Sequence, residues 1–80
     1  MADVVWANHV LELLEELPEN ERVIIVEKAR NLTLFPRMYP VRGSGRFRRH
    51  RWYLAGSWLV YYRVIGDTVY VRGLWPARIP

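Results

Sequence analysis

The stretch WLVYYRVIGDTVYVRGLW, residues 58–75, reads as two β-strands joined by the two-residue turn Gly66-Asp67. β-Branched and aromatic residues recur at a period of two on both sides of that turn, and a glycine in its first position suits a type II′ hairpin. Closing the hairpin there sets Val64 opposite Val69, Arg63 opposite Tyr70, Tyr62 opposite Val71 and Tyr61 opposite Arg72. Upstream, residues 46–54 supply a third strand and Ala55-Gly56-Ser57 its connection, so the second half of the chain is expected to form a β-meander. A two-residue loop at Ala55-Gly56 would turn Arg49 and Arg51 toward Val60, Tyr62 and Val64. That register buries two guanidinium groups without partners, at a cost of several kcal/mol each. A three-residue loop with a bulge shifts the pairing by one. Trp52, Leu54, Trp58, Val60, Tyr62, Val64, Val69 and Val71 then share an apolar face. Arg49, Arg51, Tyr53, Leu59, Tyr61, Arg63, Tyr70 and Arg72 line the other, with His50 near the rim of the apolar side.

Working toward the N-terminus, residues 37–45 contain Pro40, Gly43 and Gly45 and read as a loop. Before it, Val23-Ile24-Ile25-Val26 continues into Glu27-Lys28-Ala29-Arg30-Asn31-Leu32, which favours a helix ending before Pro36. Val10, Leu11, Leu13, Leu14 and Leu17 fall on a helical stripe opposite Glu12, Glu15 and Glu16, with Asn8 as its N-cap. Pro18 separates the two helices, since proline ends one helix before it and is tolerated in the first turn of the next. Val4, Val5 and Trp6 make a short strand in front. The expected fold is α+β in the order β-α-α-β-β-β, one domain over residues 1–80, with a helical hairpin packed on an antiparallel sheet.

Eighty residues with 51% hydrophobic content and no cysteine leave room for one core, and exclude disulfides, cysteine-based metal sites and the larger cofactor-binding architectures. His9 and His50 are far apart and lack metal-ligand spacing, so no metal or cofactor is expected. Neither a basic leader nor an apolar run long enough for a bilayer is present, which makes a cytoplasmic protein the expectation and a membrane partner an unexpected one. The net charge of +4 conceals an asymmetry. Residues 1–40 carry seven acids against four bases, and residues 41–80 carry eight arginines against Asp67 alone, +7 in that half. Arginine's planar fork suits phosphate and stacks on bases, and interleaved tyrosines offer stacking planes for unpaired bases; this combination points to single-stranded RNA.

A strand, a helical hairpin, LFPRMYPVRG (34–43) and GSWLVYYRVIGDTVYVRGLWPAR (56–78) together resemble the RelE/ParE superfamily of toxins from type II toxin–antitoxin systems. The FP after the second helix, the YRV-x-GD hairpin and an arginine just past the last strand carry the likeness, which spans nearly the whole chain. It implies a RelE/ParE-like fold and a growth-inhibiting toxin held inactive by a cognate antitoxin, a small acidic or amphipathic protein. RelE-like members cleave mRNA on the ribosome as endoribonucleases; ParE-like members inhibit DNA gyrase by protein contact. By position, Arg49, Arg51, Tyr53 and Arg78 resemble the catalytic set, while Arg48, Tyr61, Arg63, Tyr70 and Arg72, from the arginine- and tyrosine-rich half of the chain, are the expected RNA-binding residues. Leu59 stands where RelE-like proteins usually carry an arginine, and the sequence stops at Pro80, before the segment that often supplies a catalytic tyrosine or histidine. The leading expectation is ribosome-dependent mRNA cleavage, with a gyrase inhibitor or a non-catalytic RNA-binding homologue as alternatives.

Cleavage through the neighbouring 2′-hydroxyl needs a base, stabilisation of phosphorane charge and protonation of the leaving oxygen. Arg49, Arg51, Arg63 and Arg78 suit the second task, worth about 2–4 kcal/mol per well-placed donor. Arginine keeps its proton and cannot be the base. Tyr53, Tyr61 or Tyr70 could serve only with a pKa lowered by the arginine cluster.

Overall fold

The computed structural model describes residues 1–77. Its elements are β1 (Asp3–Trp6), α1 (Asn8–Glu16), α2 (Glu19–Arg30), a 3-10 turn (Asn31–Thr33), β2 (Arg51–Ala55), β3 (Trp58–Ile65) and β4 (Thr68–Pro76). The α+β class and element order match the sequence reading. Ala7, not Asn8, caps α1, a shift of one residue. Pro18 caps α2, whose first turn carries Glu19 and Glu21 and whose last turn carries Lys28 and Arg30, charges that complement the helix dipole at both ends.

The sheet has the order β1-β4-β3-β2 and is mixed, which corrects the expectation of a wholly antiparallel one. β1 pairs in parallel with β4, with Val4 opposite Val69 and Trp6 opposite Val71. Parallel strands need a long crossover, and everything between β1 and β4 provides it. The β3–β4 hairpin follows the expected register from Ile65–Thr68 to Tyr62–Val71, and Gly66 has the positive φ (58°) that its turn requires. Beyond that pair a bulge at Arg72 sets Tyr61 opposite Gly73, not Arg72. The extra residue resets the alternation: Leu74 enters the core opposite Val60, and Trp75 emerges on the other face opposite Leu59.

The first hairpin turns on Gly56-Ser57, with Ala55 opposite Trp58, Tyr53 opposite Val60 and Arg51 opposite Tyr62. This is the parity that the sequence argument rejected, and it turns every residue of β2 over. Arg51, Tyr53 and Ala55 face the helices; Trp52 and Leu54 face away. Arg51 escapes the expected penalty because residues 37–39 pass over the same face, and its Nη1 donates to the carbonyls of Tyr39 (2.7 Å) and Arg37 (3.3 Å). Tyr53 is buried, stacks on Tyr39 at 5.0 Å and donates its hydroxyl to the Ile25 carbonyl (3.2 Å). Gly56 has φ 59° in the first position of this turn, so both hairpins use the glycine-first chemistry.

The core lies between the helices and one sheet face. Val10, Leu14, Ile25 and Leu32 meet Tyr53, Ala55, Val60, Tyr62, Val69, Val71 and Leu74. The Tyr62 hydroxyl donates to the Pro36 carbonyl at 2.9 Å, and Glu21 accepts from the Trp58 indole N–H at 3.0 Å, tying α2 to β3. Lys28 Nζ donates to the Leu54 carbonyl (2.7 Å), covering a backbone acceptor of the edge strand β2.

Candidate nucleic-acid interface

Among the described residues, the loop just before β2 lies against the sheet face away from the helices, where Phe47 meets Tyr61 and Gly73. Residues 42–50 form a closed loop: the Arg42 N–H donates to the His50 carbonyl (2.8 Å), the Arg49 N–H donates to the Arg42 carbonyl (2.9 Å), and Val41 bridges Arg51. Gly45 (φ 85°) and Arg49 (φ 72°) take the left-handed conformations that close it. The loop replaces the beginning of the expected first meander strand, which starts only at Arg51.

Phe47 pins the loop to the sheet. Its ring stacks on Tyr61 with centroids 4.2 Å apart and planes 10° apart, and it meets His50 and Trp75 edge-on at 5.5 Å and 6.5 Å. Beneath it, Gly73 is a packing requirement, since a Cβ there would intrude into the Phe47 ring. Arg42 reaches the Tyr61 hydroxyl (3.2 Å) and the Ser44 carbonyl (3.1 Å), with its guanidinium 5.6 Å from the Tyr61 ring centre. Arg46 lies over the Trp75 indole at 5.1 Å.

The register distributes the expected site residues as follows. Arg63 and its cross-strand partner Tyr70 are on this open face, the arginine exposed and the tyrosine half-buried. Arg72 is exposed on the bulge, and its carbonyl bonds the imidazole Nε2 of His9 (2.9 Å). Arg48 and Arg49 are exposed on the loop. Tyr61 is on the face but sealed beneath Phe47 at 4% exposure, so it offers no free stacking plane. Arg51 and Tyr53 lie on the helix-covered side, contrary to their expected placement. Burial raises the pKa of Tyr53, and the neighbouring Tyr39 adds to the shift, the opposite of what a base requires. Arg78 lies outside the described residues.

Arg42, Arg46, Phe47 and Trp75 were missed as site residues. The alternation of arginine and aromatic in RFRRH was the available signal, but a strand reading dispersed it over two faces. The only ion pair among the described residues is Arg30–Glu27. Arg42, Arg46, Arg48, Arg49, Arg63 and Arg72 are therefore exposed cations with no carboxylate partner among the described residues. Among the described residues no group of three or more His, Asp or Glu side chains could hold a metal ion, and no helix is long and apolar enough to cross a membrane.

Fold and surface define a small α+β domain with two helices on a four-stranded mixed sheet and an arginine-rich loop on the sheet's open face. Comparison with family models, with curated proteins and with solved structures returns no match to this chain.

Proposed function

We propose that the chain is the toxin of a type II toxin–antitoxin pair of the RelE/ParE kind, and that its target is RNA, bound by the loop and the open sheet face. One observation carries the reading: six exposed arginines with no carboxylate partner among the described residues lie on the loop, the open face and the β4 bulge, and two of them, Arg42 and Arg46, line a cleft with the exposed indole of Trp75. Exposed, unneutralised guanidinium groups attract phosphate, and aromatic planes select unpaired bases. The β-α-α-β-β-β order and the FP and YRV-x-GD motifs support the toxin assignment. The reading requires a cognate antitoxin, small and acidic or amphipathic, that folds over the basic surface, with both proteins in the cytoplasm.

Cleavage of mRNA on the ribosome is one form of this function, in which Arg49 and its loop neighbours stabilise charge on the scissile phosphate. The burial of Tyr53 and the carbonyl contacts of Arg51 favour a second form, in which the domain binds RNA without cutting it. Induced expression in a bacterial host, followed by primer extension on a translated message and crosslinking to RNA, tests both. Codon-positioned cuts support cleavage, and intact message crosslinked to the protein supports binding alone. Absence of RNA crosslinks together with blocked supercoiling by gyrase would overturn the RNA target in favour of gyrase inhibition.

A further inference from the structure

The cleft between the loop and the end of β4 is lined by Arg42, Arg46, Phe47, Tyr61 and Trp75 and has a volume of about 290 Å³. We propose that this cleft is a subsite for one unstacked base of a single-stranded RNA, which lies on the Trp75 indole where the Arg46 guanidinium now rests. Arg46 moves aside to the adjoining phosphate. The inference rests on the RNA reading and assigns to Trp75 a role that the reading leaves open.

Two contrasts within the cleft argue for it. The first is between its aromatic planes. Tyr61 is already capped by Phe47, whereas Trp75 remains 43% exposed and is covered by a cation rather than a ring. The bulge at Arg72 puts Trp75 on this face; unbroken alternation would have turned it toward the helices. A large indole held out of the core by a backbone irregularity is available to a ligand.

The second contrast is between the arginines. Arg42 is fixed by bonds to Ser44 and Tyr61, whereas Arg46 makes no side-chain hydrogen bond and no ion pair among the described residues. Arg42 is a wall, and Arg46 is a cover that can be displaced. A nucleotide matches both needs, because its base replaces the guanidinium on the indole while its phosphate takes up the displaced charge. Phe47, edge-on to Trp75 with planes 66° apart, closes one end of the platform and limits it to a single base. A paired base inside a duplex has no free face to offer.

Tryptophan fluorescence of the full chain, titrated with a short oligoadenylate and with inorganic polyphosphate as a probe lacking bases, tests the subsite. Oligoadenylate is expected to quench the wild type, and polyphosphate to bind without quenching. Trp75→Leu is expected to lose most of the quench and weaken oligoadenylate binding on the order of tenfold, with polyphosphate affinity unchanged. Trp75→Phe, which keeps an aromatic plane, should recover most of the affinity and guards against misreading a folding defect. Wild-type affinity for oligoadenylate in Trp75→Leu would overturn the subsite while leaving RNA binding intact. Polyphosphate binding with no oligoadenylate binding by the wild type would overturn the RNA reading and the subsite together.

Discussion

The two faces of the sheet use the same residue types for opposite ends. On the helix-covered face, arginine and tyrosine are committed to the fold: Arg51 bonds two carbonyls, and the hydroxyls of Tyr53 and Tyr62 each donate to one. On the open face, Arg46, Arg48 and Arg63 make neither a side-chain hydrogen bond nor an ion pair among the described residues, and Trp75 lies beneath the Arg46 guanidinium. Residue type therefore does not assign a role in this molecule. What separates the two groups of arginines is whether backbone acceptors already hold the side chain, and on the open face Arg42, bonded to the Ser44 carbonyl, is held in that way.

Removing an arginine from each face sharpens that difference. Arg51→Ala is expected to lower stability by about 1–2 kcal/mol, because two carbonyls lose a charged donor at a partly buried site. Chemical denaturation measures this, and affinity for RNA should stay within about twofold of wild type because the side chain faces away from the site. A stable Arg51→Ala variant with collapsed RNA affinity would break the assignment of faces.

A smaller effect is expected from the covered tyrosines. Burial raises the pKa of both Tyr53 and Tyr62 above the usual tyrosine value of about 10. Below that value both states hold the phenolic protons and the contribution to stability is complete. Above it the unfolded chain releases them first, and stability is lost as pH rises toward the folded-state values. The thermal midpoint should thus decline beyond about pH 10. Tyr53→Phe should make that decline shallower, at a cost near neutrality of about 1 kcal/mol for the lost bond to Ile25. An unchanged alkaline decline in Tyr53→Phe would show that Tyr53 is not the coupled group.

Much of this architecture was legible in the sequence, because local signals agreed with one another. Gly66-Asp67, flanked by alternating apolar residues, fixed the β3–β4 register as far as Tyr62, and the stripe from Val10 to Leu17 with Pro18 marked the helical hairpin. Apart from local misses at the α1 cap, the Gly56-Ser57 turn and the Arg72 bulge, the failures are long-range. The parity of β2 was decided by asking what surrounds Arg51, and the answer lay in carbonyls of residues 37–39, brought over it by a loop whose path no periodicity reveals. The Phe47 wedge depends on Gly73, 26 positions further along the chain, and a glycine inside a strand announces a close approach without naming its partner. The parallel place of β1 beside β4 is likewise a property of topology rather than of either strand.

The central claim is that the loop and open face hold their arginines for RNA and not for the fold. Its most direct test is the salt dependence of single-stranded RNA binding by the triple variant Arg46→Ala, Arg48→Ala, Arg63→Ala, measured beside its thermal unfolding. The account predicts stability within about 0.5 kcal/mol of wild type. It also predicts a loss in the slope of log affinity against log salt of about 0.7 for each phosphate contact removed, roughly 2 in all. Wild-type affinity and slope, accompanied by a large fall in stability, would contradict it.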